Sequence, residues 1–288
     1  MGWVESLQRA INYMEDHLLD DLTMEQIAKE ANLSIYHFQR IFTILTDVSV
    51  GEYIRRRRLT LAAQELSRTQ CKVIDLAHKY GYDTPEAFTK AFRRQHGVTP
   101  SEARKHRGKL VSYNRLIIQV NLKGAKPMKY RIVEREGFQV VGIKRQFSME
   151  NEENLVGIPK FWDEVNGNGT DELLHQLNNG QIKGVLGICV ADHENIQSTQ
   201  KLDYWIATEY DGEPPDGLSK LEIPTSKWAV FEVVGPMPDA MQKAWKQIFS
   251  EWFPSSGYKH ANTPELEVYT DEDPFKEDLY SEIWIPVK

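Results

Sequence analysis

Along the first hundred residues, apolar positions recur at three- and four-residue steps, the spacing of one helix face. Val4–Leu19 is one such stretch. Thr23 and Gln26 form a capping box at the start of the next helix, and Ser34 and Thr84 are N-cap residues for two more. These signals predict an all-α region at the front of the chain.

The same region contains a near-repeat. Phe38 and Phe42 recur fifty positions later as Phe88 and Phe92, and each pair lies on the apolar stripe of a predicted helix. Each of these helices follows a shorter helix and a tight turn, which is the plan of a helix-turn-helix. The sequence therefore predicts a double helix-turn-helix DNA-binding domain over residues 1–108.

The pattern changes beyond this region. Residues 109–126 read as a linker that could hold one strand at 116–122. Further on, alternating and β-branched runs predict strands, and two stretches keep a helical spacing. The strands are expected at 130–134, 139–147, 184–190, 202–209, 228–234, 266–269 and 280–287, and the helices at 158–165 and 239–253.

The back half also contains a weak repeat. Strands, a helix with Phe161-Trp162 and further strands are echoed by strands, a helix with Ala244-Trp245 and further strands. The order predicts an α+β domain over 127–288, built of two strand-helix-strand repeats. A crevice between two such halves is a usual place for a ligand.

Composition refines this division. The net charge of −7 is unevenly spread, because Lys and Arg exceed Asp and Glu in residues 1–110 and acids exceed bases in the rest. Such asymmetry is typical of a protein in which only one domain meets phosphate. No secretory signal or long apolar run is visible, so a cytoplasmic protein without a membrane partner is expected. Cys71 and Cys189 are expected to be reduced thiols, and no ligand cluster predicts a metal or a cofactor.

The two predicted reading helices differ in their outward residues. Arg can contact guanine and Gln adenine with two hydrogen bonds each, whereas Lys and Arg near phosphate set affinity without reading bases. An ordinary solvated face is the alternative for either helix. The candidates are Tyr36, His37, Gln39, Arg40 and Thr43 on the first helix, and Pro85, Glu86, Thr89, Lys90, Arg93 and Arg94 on the second. Arg55–Arg58 could contact phosphate or hold internal carboxylates.

Residues 5–106 resemble the AraC/XylS family of bacterial transcription regulators. The resemblance lies in the stretches 22–28, 36–42, 53–59 and 74–77, followed by Gly81-Tyr82 and 88–93. It implies seven helices, with two reading helices in successive major grooves about 34 Å apart. The family's base-reading positions fall on Tyr36, Gln39 and Arg40, and on Pro85, Glu86, Ala87 and Lys90. Since Pro85 and Ala87 depart from the polar residues often found there, the second helix is expected to discriminate less between base sequences.

Residues from about 127 to 288 resemble the GyrI-like effector-binding domain, through 137–142, 228–235 and 281–287. An AraC-type domain followed by a GyrI-like domain is the layout of Rob-like regulators. The resemblance implies that Glu282 is the ligand acid, and strand alternation puts Trp284 on the same face. A carboxylate among aromatic rings suits a lipophilic cation. The candidates for the aromatic walls of the ligand pocket are Trp162, Tyr204, Trp205 and Trp228.

The expected protein is a DNA-binding transcriptional regulator, an activator by the resemblance, that senses a small lipophilic or cationic effector. Its expected partners are double-stranded DNA, the effector and RNA polymerase. The residues leave open whether it activates or represses and how many copies assemble. Two other hypotheses make the back domain a hydrolase that uses Glu282 and Tyr204, or a docking module with an exposed aromatic patch.

Overall fold

The computed structural model describes residues 3–105, 108–118, 127–148, 153–191, 201–261 and 263–288. The chain divides into two compact units, Met1–Gln119 and Val120–Lys288. The boundary falls inside the predicted linker at 109–126. In the part of the chain that is described, no helix is long and apolar enough to cross a membrane.

The described part of the first unit holds the seven helices that the resemblance implies. They are α1 (Trp3–Asp16), α2 (Met24–Ala31), α3 (Ile35–Thr46), α4 (Val50–Arg68), α5 (Val73–Lys79), α6 (Pro85–His96) and α7 (Pro100–Arg104). The predicted caps are confirmed, because Thr23 and Gln26 form the capping box of α2 and the hydroxyls of Ser34 and Thr84 accept from the amides of His37 and Ala87.

The two helix-turn-helix motifs, α2–α3 and α5–α6, also match in their turns. Asn32 and Gly81, forty-nine positions apart, both adopt the left-handed conformation, with φ of 55° and 79°. Glycine and asparagine are the residues that enter this region at least cost. The turn that ends the short helix is therefore built in the same way in both motifs.

Helix α4 joins the two motifs. Near its start, the Tyr53 ring packs against Phe42 of α3 with centroids 5.6 Å apart. Further along, Leu59 and Leu66 enter a core cluster with Phe88 and Phe92 of α6. Helix α4 thus contributes side chains to the hydrophobic cores of both helix-turn-helix motifs, as its length and position in the sequence suggest.

Residues 116–118 do not form the strand predicted at 116–122, and 119–122 lie outside the described residues. The connector, residues 109–118, bonds through its backbone amides to side chains of the helices. The amide of Leu116 donates to the Tyr53 hydroxyl (3.1 Å), and that of Ile118 to Gln8 Oε1 (2.8 Å). With these side chains as partners, the segment needs no neighbouring strand.

In the second unit, eight strands of the described residues form one antiparallel sheet. They are β1 (Tyr130–Arg135), β2 (Phe138–Ser148), β3 (Val185–Ala191), β4 (Lys201–Glu209), β5 (Ser219–Ile223), β6 (Ser226–Val234), β7 (Glu265–Tyr269) and β8 (Tyr280–Val287). The order is β1-β6-β8-β7-β3-β4-β2-β5. The α+β prediction and the two-part repeat are confirmed. The first half contains β1 to β4 and the second β5 to β8, and β3 and β7 pair at the centre of the sheet. The first strand of each half pairs with the second strand of the other, β1 with β6 and β5 with β2.

Helices follow the second strand of each half. They are α8 (Glu153–Gly167) and α9 (Thr170–Leu177) in the first half, and α10 (Asp239–Gln247), a π-helical segment (Ile248–Trp252) and α11 (Phe253–Ser256) in the second. Helix α9 and strand β5 are not distinguished by the sequence pattern. Residues 239–253 are predicted as one helix, whereas in the structure a π-helical segment begins at Ile248.

Candidate functional site

On the first reading helix, α3, the predicted outward residues Gln39, Arg40 and Thr43 are partly exposed. Tyr36 lies one turn before Arg40 on the same face of the helix. The His37 ring turns back to Ser34 Oγ at the helix start (2.7 Å), and the Tyr36 hydroxyl accepts from Arg40 Nη1 (2.6 Å).

The second reading helix, α6, presents its predicted residues together. These residues and Thr99 line a shallow depression of about 610 Å³. The predicted residues are Pro85, Glu86, Thr89, Lys90, Arg93 and Arg94. Glu86, Lys90, Arg93 and Arg94 are exposed. Three cations and one acid on one surface suit a phosphate backbone better than a set of bases.

The four consecutive arginines of α4 have different surroundings. Arg55 and Arg56 both pair with Glu52 near the start of the helix. Arg57 forms two hydrogen bonds to Glu15, each 2.7 Å, and Arg58 Nε donates to the carbonyl of Leu18 (2.6 Å). Arg57 and Arg58 therefore hold α1 and the residues after it on α4.

The sheet of the second unit has two faces with different residues. On the face that α8 and α10 cover, here called the helix face, lie Glu267, Tyr269 and Tyr204. The other, here called the opposite face, carries Glu282, Trp284, Trp205 and Trp228. The strand register fixes this division, because Val268 pairs with Glu282, and Gly187 of β3 pairs with Glu267.

The helix face holds an acid among four aromatic side chains, here called the Glu267 crevice (Trp162, Tyr204, Trp245, Glu267 and Tyr269). Trp245 Nε1 of α10 donates to Glu267 Oε1 (2.7 Å), and the Tyr269 hydroxyl donates to Oε2 (2.9 Å). Trp162 of α8 packs edge-on against Tyr269 with centroids 5.0 Å apart and donates to the Tyr204 hydroxyl (2.9 Å). The cluster joins the helices of the two halves across the central strands.

A glycine makes this arrangement possible. A Cβ at Gly187 would lie 2.4 Å from the Tyr204 hydroxyl and 3.4 Å from Glu267 Oε2. Since a contact below 3 Å cannot be tolerated, a side chain here would push the tyrosine hydroxyl aside. Gly187 thus leaves room for Tyr204 next to the acid.

On the opposite face, Glu282 is fully engaged. Its Oε1 accepts from Arg131 Nη2 (2.8 Å) and from the Tyr280 hydroxyl (2.7 Å), and Oε2 accepts from Trp284 Nε1 (2.7 Å). Burial and the neighbouring carboxylate raise the pKa of Tyr280 to about 12, so its hydroxyl stays protonated. Burial alone would lower the pKa of Arg131, but the hydrogen bond and charge of Glu282 raise it.

The predicted pocket residues therefore do not form one pocket. Trp162 and Tyr204 lie on the helix face, whereas Glu282, Trp284, Trp205 and Trp228 lie on the opposite face, where the three tryptophans belong to a buried core cluster. The sheet also separates Glu282 from Tyr204, so these two groups cannot act together on one substrate.

Glu267, Tyr269 and Trp245 are not among the site residues predicted from the sequence. Two signals in the sequence do point to them. Trp245 is the counterpart of Trp162 in the repeat, and Glu267 alternates with Tyr269 just as Glu282 alternates with Trp284. Nothing in the sequence, however, tells which face of the sheet the helices cover.

Two helix-turn-helix motifs followed by a two-halved antiparallel sheet define a DNA-binding regulator with a GyrI-like domain. Comparison with known families agrees. A family described as "Integron-associated effector binding protein" matches residues 131–287, and one described as "Helix-turn-helix domain" matches 27–106. The chain belongs to the first of these families, and its front unit is an AraC-type domain, as the sequence predicts.

Individual relatives cover one unit each. Regulatory protein SoxS of Escherichia coli K12 is 39% identical over 104 residues, 36% of this chain and 97% of that protein. The HTH-type transcriptional activator AarP of Providencia stuartii is 39% identical over 89 residues, 31% of this chain and 66% of that protein. The solved structure of SAV2435 bound to tetraphenylphosphonium is 27% identical and covers 56% of this chain and 94% of that chain, with a TM-score of 0.50.

Proposed function

We propose that this protein is a transcriptional activator whose second unit binds a lipophilic cation in the Glu267 crevice and thereby changes how the first unit binds DNA. The acid proposed to meet the ligand is Glu267, in place of Glu282. RNA polymerase is the proposed protein partner, and the name of the relative AarP supports activation.

The observation that carries the ligand proposal is one carboxylate surrounded by aromatic rings from both halves of the sheet domain. Glu267 is partly exposed, and so are Trp162 and Tyr269 beside it. Aromatic faces attract cations, and the carboxylate adds direct charge attraction. The relative SAV2435, solved with tetraphenylphosphonium, supports this ligand class.

The proposed coupling is thermodynamic. A ligand shifts a protein between two states only if it binds them with unequal affinity. The covalent route between the units is the connector, whose amides at Leu116 and Ile118 bond to side chains of α4 and α1. We propose that the cation alters this anchoring and with it the position of the reading helices.

Titration calorimetry of the full chain with tetraphenylphosphonium tests the ligand proposal. We expect saturable binding of one cation per chain and a negative heat-capacity change, since the ligand buries apolar surface. The inert cation tetramethylammonium, which has little apolar surface, is the control and should give no saturable heat. Absence of saturable binding of tetraphenylphosphonium would refute the proposal.

For DNA, we expect the two reading helices to differ. Arg40→Ala should weaken binding to a selected duplex by roughly 1–3 kcal/mol and relax the choice of base, because it removes a direct base contact. Arg93→Ala should weaken selected and scrambled duplexes alike, because it removes a phosphate contact. Fluorescence anisotropy measures the affinity for both duplexes. Equal effects of the two substitutions on both duplexes would contradict the proposal that α3 reads bases and α6 contacts phosphate.

A further inference from the structure

The opposite face contains a cavity of about 530 Å³ that the proposed function does not use. It lies between β1, the loop before β3, and strands β7 and β8. Its apolar lining is provided by Val133, Ile182, Val268 and Trp284, and its charged lining by Arg131, Glu134, Arg135, Lys183 and Glu282. The space can hold a small organic molecule.

The acids in this lining are already compensated. Glu282 pairs with Arg131 at 2.8 Å, and Glu134 with Lys227 at 2.9 Å. Lys183 is exposed and reaches only the side-chain oxygen of Asn178 (3.3 Å); among the described residues it has no carboxylate partner. Arg135 in turn pairs with Glu209, so the surplus of positive charge in the cavity is the ammonium group of Lys183.

Arg131 occupies the place that a cationic ligand would need. Its Nη2 contacts Glu282, and its Cζ lies 5.7 Å from the ring centroid of Trp284. These are the two contacts, to a carboxylate and to an aromatic face, by which a lipophilic cation is bound. The Glu282 side chain is only 12% exposed but that of Arg131 is 47% exposed, so the guanidinium remains accessible to an acceptor.

We infer that this cavity is a second ligand pocket, separate from the Glu267 crevice, which takes an amphiphile with one negative charge, and that Arg131 determines the sign of the charge it accepts. The head group lies at Arg131 and Lys183, and the apolar body lies on Val133 and Trp284. Without Arg131, Glu282 would be uncompensated beside an aromatic ring, and the pocket would accept a cation.

Two probes with the same apolar body and opposite charge test this: 2-naphthalenesulfonate and 2-naphthyltrimethylammonium. The full chain carrying Glu267→Gln, which weakens cation binding in the Glu267 crevice, is titrated with each probe. In the concentration range that saturates the sulfonate site, we expect binding of the sulfonate and none of the ammonium. Adding Arg131→Gln should weaken the sulfonate by roughly tenfold or more and make ammonium binding appear.

Lys129→Gln is the matched control, because it removes the same charge two residues away from Arg131, outside the cavity lining. It should change neither probe by more than about twofold, as expected for an exposed ion pair. Arg131→Lys keeps the charge and should keep the sulfonate preference, which separates loss of charge from loss of folding. The inference is overturned if Arg131→Gln leaves the sulfonate affinity unchanged, or if ammonium binds equally well with Arg131 present. Either result leaves the Glu267 proposal standing.

Discussion

Replacing Glu267 with Gln is expected to weaken the binding of tetraphenylphosphonium by roughly 30-fold, since two unit charges about 8 Å apart attract by about 2 kcal/mol at an effective dielectric constant of about 20. Gln keeps the size of the side chain; its amide oxygen can accept from Trp245 Nε1 and its NH2 group can donate to the Tyr269 hydroxyl, so the aromatic walls should remain in place. Calorimetric titration of both proteins measures the ratio.

Glu282→Gln is the control for this substitution. It removes the same charge from the other face of the same sheet, where Arg131 already compensates it at 2.8 Å. The affinity for tetraphenylphosphonium should therefore stay within about threefold of the wild type, the range of a distant or screened charge. If Glu282→Gln reduced the affinity for tetraphenylphosphonium more than Glu267→Gln does, the acid that binds the ligand would be Glu282, as predicted from the sequence.

Arg57→Ala is expected to destabilise the first unit by about 3–5 kcal/mol, because it leaves a buried carboxylate without its partner. The side chains of Arg57 and Glu15 are only 11% and 5% exposed, and Arg57 also donates to the carbonyl of Tyr113 in the connector (2.5 Å). Scanning calorimetry should show the effect in the transition of the first unit. Arg55→Ala, on the same helix but in an exposed pair with Glu52, should cost less than about 1 kcal/mol. Similar losses from both would refute a structural role specific to Arg57.

The same pair predicts a pH dependence. Burial would raise the pKa of Glu15, but hydrogen bonds from Arg57 and Tyr53 outweigh it and hold the pKa below the ordinary value of 4.5. A carboxyl group with a lowered pKa in the folded state adds stability above its ordinary pKa and loses it as the pH falls through the folded value. The advantage of the wild type over Arg57→Ala should thus shrink below about pH 4.5. An advantage that stays constant down to pH 2 would contradict this.

The first unit was largely predictable because its signals are local. A capping box at Thr23, N-caps at Ser34 and Thr84, and a phenylalanine pair repeated after fifty residues act within one or two turns of helix. The connector was not predictable. Its backbone amides bond to Tyr53 and Gln8, which are distant in sequence, and no local pattern encodes such partners.

The candidate ligand site was only half predictable. The repeat predicted a ligand crevice between two halves, and the structure brings Trp162 of the first half into contact with Tyr269 of the second. Alternation placed Glu282 and Trp284 on one face of a strand, yet it cannot tell which face the helices cover. The neighbouring strand β7 carries a similar alternation, Glu267 and Tyr269, on the other side of the sheet. Only the register between β7 and β8 distinguishes the two acids.

The central claim is that occupation of the Glu267 crevice changes DNA binding, and reciprocal titration tests it most directly. The affinity of the full chain for its selected duplex is measured with and without saturating tetraphenylphosphonium, and the affinity for the cation is measured with and without the duplex. Linkage predicts the same factor in both directions, typically about 5- to 150-fold, and no factor in Glu267→Gln. A cation that binds the crevice and leaves the DNA affinity unchanged would contradict the account.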